Sequence, residues 1–329
     1  MNNKYIPENP EKIWIKEVSS KAVKQSIMNG ERAFKNFFKK QSKFPRFKKK
    51  HKQDVNAYFP KNNLTDLSTE RHRIKIPTLG WIQLKEYGYI PINKHISSCT
   101  VSEKAGRFYI SALVEEQPTK EKFKHTEGIG VDLGIKEFAT ISNEEVFGNI
   151  NKSKRVRKLE KKIRREQRSL FRKILKRKRG EVATETRGNL DKNRLRIQKL
   201  YQGLSNIRTE YVKSVVNQLV KTKPKYITIE DLNIQGMMKN RHLSKAIAQQ
   251  MFYKFKEYLI QKCKQFKIEI RVADCFYSSS KTCSCCGNVK KDLKLKDRTY
   301  ICPECRTEID RDLNAAINLK RLRQYTVLT

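Results

Sequence analysis

No run of apolar residues in this 329-residue chain approaches the eighteen or so needed to span a bilayer. The opening stretch MNNKYIPENPEK lacks the apolar core of a secretory leader. Those absences exclude a membrane-spanning helix and predict an intracellular, cytoplasmic protein with no membrane partner. Acidic residues are scarce too: 34 Asp and Glu face 73 Lys and Arg, a formal net charge of +39. Such a chain repels itself when compact unless phosphates or counterions neutralise it, so a polyanion is the expected partner. A ribosomal-type protein or a merely solvated basic surface is the competing account of the charge. The sequence shows no internal repeat, and its length predicts more than one core.

The eight cysteines do not suit a disulfide framework, because they concentrate in paired spacing near the C-terminus and a cytosol is reducing. Cys283-x-x-Cys286 and Cys302-x-x-Cys305, fifteen residues apart, have the spacing of a zinc ribbon. Gly287 follows the first pair and Pro303 lies inside the second, as tight turns require. Four thiolates close a tetrahedral shell with no position for water, so one structural zinc is expected. Cys285 leaves only one residue between itself and Cys283, and Cys99, Cys263 and Cys275 are expected to behave as small buried apolar residues.

Apolar periodicity organises the rest. A helix capped by Ser19 or Ser20 carries Val23, Ile27, Phe34, Phe37 and Phe38 on one face, which should pack on something. The stretch from Lys43 to Lys50 interleaves Phe44 and Phe47 with cations, either to stack bases or to tuck two rings into a core. Strands are expected at Arg73 to Ile76, Trp81 to Lys85, Ser97 to Ser102 and Phe108 to Val114, suggesting a small antiparallel barrel. The basic tract Gln117 to His125 then leads into a meander around Asp132, Phe138 to Ile141 and Glu145 to Ile150. Lys152 to Arg179 reads as a very basic helix, and a second helix carries Leu200, Leu204, Ile207, Tyr211, Val215 and Leu219. The polar stretch Gly180 to Asn193 between them reads as a loop. The basic residues flanking these stripes lack the matching acids of a coiled coil, so a helical hairpin lying along nucleic acid is expected. A strand from Tyr226 to Glu230, one helix from Ser244 to Phe266, and a strand from Ile268 to Ala273 follow.

Asp132 and Glu230 each end an apolar strand, where side chains in a helix-covered sheet can converge on a ligand. A third acidic motif, Asp310-Arg311-Asp312-Leu313-Asn314-Ala315-Ala316, opens the last helix. Each acid has a structural alternative: a turn at Asp132, a helix cap at Glu230-Asp231, and capping of the last helix by Asp310 or Asp312. Together, three converging carboxylates repel one another unless divalent cations neutralise them. Magnesium prefers oxygen ligands, and a pair of such ions can cleave a phosphodiester.

These motifs in their order, Gly130-Val131-Asp132-Leu133-Gly134-Ile135-Lys136, Ile229-Glu230-Asp231-Leu232, Ser278 to Gly287, Cys302-Pro303-x-Cys305 and Asp310 to Asn318, resemble the TnpB/OrfB family of insertion sequences. The likeness extends to Trp14 to Phe38, Phe44 to Lys49 and Leu79-Gly80-Trp81, nearly the whole chain. It implies an α/β fold: an RNase H-like (RuvC) nuclease domain with a long helical insertion and an inserted zinc ribbon, preceded by a small β-barrel with a helical insertion. The boundaries it implies are 1–126 for the first lobe, 127–274 for the nuclease core with a helical hairpin at 151–222, 275–308 for the ribbon, and 309–329 for the last motif and C-terminal helix. It assigns catalysis and magnesium binding to Asp132, Glu230 and Asp312, the last preferred over Asp310 by its place two residues before Asn314. It assigns zinc to Cys283, Cys286, Cys302 and Cys305. The implied partners are a DNA target and a guide RNA from the transposon end, in a bacterial or archaeal cytoplasm at the nucleoid. Members of the family usually begin several dozen residues earlier, so an incomplete barrel is expected. A binding relic that no longer cuts, or a protein classed simply as a transposase, is the alternative.

Overall fold

The computed structural model describes residues 8–47, 55–60, 67–92, 94–115, 124–179, 187–294 and 296–328, with the side chain of residue 187 left aside. Most of the Gln117 to His125 tract, the first part of the Gly180 to Asn193 stretch and the end of Lys43 to Lys50 lie outside those residues. The chain divides into two compact units, 1–120 and 121–329. Among the described residues no helix is long and apolar enough to cross a membrane.

The first unit opens with a 3-10 helix, Pro10–Glu17, and helix α1, Ser20–Phe38. Ser19 occupies the N-cap position of α1 without a side-chain capping bond. The expected apolar face of α1 is largely open, Ile27, Phe34 and Phe38 being 54, 43 and 74 % exposed, while Ala22 is buried. Of the two phenylalanines in the basic stretch, Phe44 packs edge-on against Phe34 and Phe37, with ring centroids 5.8 and 5.3 Å away, and Phe47 projects fully. The strands are β1 (Val55–Pro60), β2 (Ser68–Thr69), β3 (Arg73–Ile76), β4 (Gly80–Gln83), β5 (Ile96–Lys104) and β6 (Arg107–Val114). They form two three-stranded antiparallel sheets, β1-β5-β6 and β2-β3-β4. Both contribute to one core of Phe59, Leu67, Ile74, Ile76, Ile90, Ile96 and Cys99. Alternation decides the face: Ile74 and Ile76 are buried while Arg73 and Lys75 face out. Ala105 and Gly106 both have positive φ, which closes the tight β5–β6 hairpin.

The second unit is built on a six-stranded mixed sheet of β7 (Ile129–Leu133), β8 (Glu137–Ile141), β9 (Val146–Gly148), β10 (Tyr226–Glu230), β11 (Glu269–Ala273) and β14 (Thr326–Leu328), in the order β14-β11-β10-β7-β8-β9. β7, β10 and β11 run parallel, and β8, β9 and β14 pair antiparallel. Two long helices, α2 (Lys154–Lys178) and α3 (Arg187–Lys221), enter between β9 and β10. The second begins earlier than its polar composition suggests. Its Asn193 is buried, donating to the Glu166 carbonyl (3.2 Å) and accepting from Lys173 (3.4 Å), so a helix on α2 satisfies groups that otherwise read as loop.

After β10 come α4 (Ile234–Met238), α5 (Ser244–Gln250) and α6 (Phe252–Phe266). The single helix expected from Ser244 to Phe266 is two, broken at Met251 in the left-handed region (φ 57°). Gln250 is buried there and donates to the Ile135 carbonyl (3.0 Å), a tertiary bond that helical continuity does not reveal. Val212, Val215, Val216 and Leu219 of α3 and Phe252, Phe255, Leu259 and Cys263 of α6 bury against Val131, Ile227 and Ile229. Each such side chain contributes about 1.5–3 kcal/mol of burial. Near the C-terminus a hairpin of β12 (Thr299–Ile301) and β13 (Glu308–Asp310) precedes helix α7 (Arg311–Lys320), and β14, not expected from the sequence, closes the sheet edge against β11.

Candidate active site

Parallel pairing of β7 with β10 runs Ile129–Ile227, Gly130–Thr228 and Val131–Ile229. Asp132 and Glu230 each come one residue later, side by side at the same end of adjacent strands. Side chains alternate, and Val131 and Ile229 point into the helix-covered core, so Gly130, Thr228, Asp132 and Glu230 share the opposite face. Helix α7 covers that face. A Cβ on Gly130 would lie 2.0 Å from the Ala316 carbonyl oxygen and 2.4 Å from the Lys320 nitrogen. Only a glycine under the small Ala315 and Ala316, both buried, lets α7 lie this close. The approach brings Asp312, in the first turn of α7, to the two strand acids.

Asp132 responds to that company. Burial first, then the charges of Glu230 and Asp312, hold its carboxyl well above the usual range, against a smaller pull from Arg311. Burial also raises Glu230, opposed by a hydrogen bond from the Ser279 hydroxyl and by Arg311. Arg298 lies 3.7 Å from the Asp312 carboxylate. Asp310 is used differently, because its carboxylate accepts from the amides of Asp312 (2.9 Å) and Leu313 (3.1 Å) and caps α7. Asp310 thus caps the helix, and the charges of both acids act on Asp132, that of Asp312 more strongly.

The thiols of Cys283, Cys286, Cys302 and Cys305 all lie within 4.8 Å of one another. Among the described residues the three acids do not form a second such group. The Cys283–Cys305 and Cys286–Cys302 sulfur separations, 3.6 and 3.5 Å, are near the roughly 3.8 Å edge that zinc–sulfur bonds of about 2.3 Å give a tetrahedron. The donor set is soft and closed, which suits zinc. Without a metal the thiols differ: a hydroxyl and an amide from Thr307 draw Cys305 down to about 6, burial raises Cys283, and Cys286 is pushed up to about 12. Beneath the cluster, Tyr300 is fully buried with Leu293 and Ile309, its hydroxyl donating to the Lys281 carbonyl (3.2 Å). Cys285 is exposed and outside the cluster. Cys99 and Cys263 are buried, their thiols pushed up to about 11 and 12 by burial, but Cys275 is exposed, contrary to expectation, because it sits in the turn after β11.

Sequence reasoning missed the polar residues that bind the cysteine loop to α7. Asn314 donates to the Thr282 carbonyl (2.7 Å) and accepts from the Ser284 amide (2.9 Å). Asn318, one turn on, donates to the carbonyls of Ser279 (2.8 Å) and Thr282 (2.6 Å). Their signal was available: two asparagines at i, i+4 flanking alanines on a buried helix face demand polar partners.

A basic mixed α/β protein with a half-buried acidic centre beside a four-cysteine cluster is the class these features define. A family model for the OrfB_IS605 group, described as a probable transposase, matches residues 111–241. A second, the Cas12f1-like TNB domain, matches residues 252–319. The resemblance to the TnpB/OrfB family is thereby borne out. An Escherichia coli K12 protein named "Putative RNA-guided DNA endonuclease InsQ" is 29% identical, over 96% of this chain and 81% of its own length. A Streptomyces pristinaespiralis protein named "Putative RNA-guided DNA endonuclease" is 28% identical, over 93% of this chain and 72% of its own. The fold is similar to that in a structure titled "Cryo-EM structure of the Cas12f1-sgRNA-target DNA complex", with a TM-score of 0.54 and 15% identity over 87% of this chain and 67% of that one.

Proposed function

We propose that this chain is an RNA-guided DNA endonuclease of the TnpB kind, acting in the cytoplasm on DNA selected by a guide RNA from the transposon end. The observation that carries the reading is the convergence of Asp132, Glu230 and Asp312 on one face of the sheet within a chain of net charge +39. The names of the two relatives support it. On this reading residues 127–274 and 309–329 form an RNase H-like (RuvC) nuclease, 275–308 a zinc ribbon holding one zinc through Cys283, Cys286, Cys302 and Cys305, and 1–126 a barrel-type nucleic-acid lobe.

The acidic centre fits magnesium. Its donors are hard carboxylate oxygens, and Asp132 is held up by burial and by the charges of Glu230 and Asp312, a state that divalent charge relieves. Asp132, Glu230 and Asp312 would hold the cations, which when bound supply an activated water and stabilise the leaving oxygen of a phosphodiester. The protein's own residues do the rest. Ser279 orients Glu230, Asp310 fixes the first turn of α7 so that Asp312 faces the strands, and Arg298 and Arg311 bring positive charge to the rim where a phosphate would arrive.

The α2–α3 hairpin supports a nucleic-acid partner. Both acids of α2 turn toward neighbouring elements: Glu160 meets Arg208 (3.1 Å) and Gln249 (3.0 Å), and Glu166 meets Arg196 (3.6 Å). Lys161, Arg165, Arg168 and Arg172, with Arg164 lying 3.9 Å from Glu160, surround the exposed Phe171 as a groove of about 660 Å³, with cations for phosphates and a ring for a base. Protein co-expressed with its native downstream DNA should cut a target-library plasmid in Mg²⁺, and an Asp132→Ala variant should not. Absence of cutting by the wild type, with RNA still bound, would overturn the nuclease reading.

A further inference from the structure

We infer that Ser279 is a positioning residue of the acidic centre: its hydroxyl fixes the Glu230 carboxylate for cation binding and ties it to the loop that begins the cysteine cluster. The inference rests on the reading of Asp132, Glu230 and Asp312 as a divalent-cation site.

Ser279 lies four residues before Cys283 and is 4 % exposed. Its hydroxyl donates to the Oε1 of Glu230, 49 residues earlier in the chain. The bond closes a short circuit of contacts. The Ser279 carbonyl accepts from Asn318 of α7 (2.8 Å), and Asn314 and Asn318 both hold the Thr282 carbonyl. Within the loop, the Ser278 carbonyl accepts from the amides of Lys281 and Thr282, each at 3.1 Å, and from the Thr282 hydroxyl (3.0 Å). One tightly bonded turn, Ser278 to Ser284, therefore touches Glu230 at one end, holds Cys283 near the other, and is clamped throughout by the helix that carries Asp312.

The chemistry of the bond points to orientation. A carboxylate at a strand end has a broad, roughly two-fold terminal torsion. With its Oε1 held by a fixed hydroxyl, Glu230 presents its other oxygen in one direction. A hydrogen bond from a neutral hydroxyl does this without a competing cation, leaving the carboxylate its charge for the metal. A lysine in the same place would neutralise the ligand it oriented. The cysteine cluster thus gains a role besides holding its own hairpin together, since the turn it anchors carries the hydroxyl.

The test is Mn²⁺ binding, followed by electron paramagnetic resonance, to the full-length chain stripped of nucleic acid. Ser279→Ala should bind Mn²⁺ about tenfold more weakly, the size expected for loss of a hydrogen bond to a charged group, while zinc content stays unchanged. Ser279→Thr and Ser279→Val, equal in size to each other, separate the hydroxyl from packing: Thr should bind within about twofold of wild type and Val should match Ala. Equal affinities for Thr and Val would overturn the inference even if Ala were too unstable to assay. The cation-site reading fails separately, and the inference with it, if wild-type protein shows no Mn²⁺ binding that Asp132→Ala removes. Wild-type binding that Asp132→Ala abolishes, together with an unaffected Ser279→Val, overturns the role of Ser279 alone.

Discussion

Gly130→Ala tests how the strand acids and Asp312 are brought together. The added methyl would meet the Ala316 carbonyl oxygen at 2.0 Å, the Lys320 nitrogen at 2.4 Å and the Leu319 Cβ at 3.0 Å. Two of those atoms are helix backbone and cannot rotate away. Relief to an ordinary contact of about 3.5 Å requires α7 to lift by about 1.5 Å, unseating Ala315, Ala316 and Leu319, which are 1, 0 and 0 % exposed. Overpacking costs about 1–3 kcal/mol where side chains can adjust, and here they cannot, so a loss of about 3 kcal/mol or more is expected. For a unit of about 200 residues that lowers the melting temperature by roughly 6–12 °C. Thermal unfolding by circular dichroism measures it, and zinc content should hold because no cysteine is touched. A loss below about 1 kcal/mol would refute the close approach of α7 to β7.

Further consequences concern the metal sites and the charge of the acidic centre. Cys302→Ser should lose zinc and destabilise the C-terminal part, as elemental analysis and limited proteolysis would show; unchanged metal content contradicts it. Tyr300→Ala, which empties the floor under the cysteines, should cost about 3–5 kcal/mol, whereas Tyr300→Phe should cost only about 1 kcal/mol for its lost hydroxyl bond; equal losses in denaturant melts would contradict the packing. Asp132→Asn should stabilise the protein near neutral pH without Mg²⁺. The folded carboxyl is raised above its unfolded value, so wild-type stability falls as pH climbs from the ordinary carboxylate range, while below that range the two proteins should coincide. Parallel melting-temperature profiles between about pH 4 and pH 8 would contradict that sign.

Much of the acidic centre was legible because its ingredients are local: an apolar strand ending in a carboxylate reads the same in sequence and in space. The cysteine pairs were legible for the same reason, since knuckle spacing is set within a few residues. What escaped depends on tertiary partners. Nothing in the sequence from Ser244 to Phe266 announces the break at Met251, which accompanies the buried bond from Gln250 to Ile135. The polar start of α3 looked like loop because the partners of Asn193 lie on α2. Strand β14 is three residues long and takes its conformation from pairing with β11. The apolar stripe of α1 misled in the other direction, predicting a buried face that stands largely open among the described residues.

Asp310 caps α7 and Asp312 lies in its first turn, and the most direct measurement of which one serves as the third acid is plasmid cleavage in Mg²⁺ by four alanine variants assayed with wild type. Asp132→Ala, Glu230→Ala and Asp312→Ala should each abolish cutting, while Asp310→Ala should keep it and lose about 1 kcal/mol of stability with the cap. Full cutting by Asp312→Ala, or its loss in Asp310→Ala at unchanged stability, would contradict the three-acid centre.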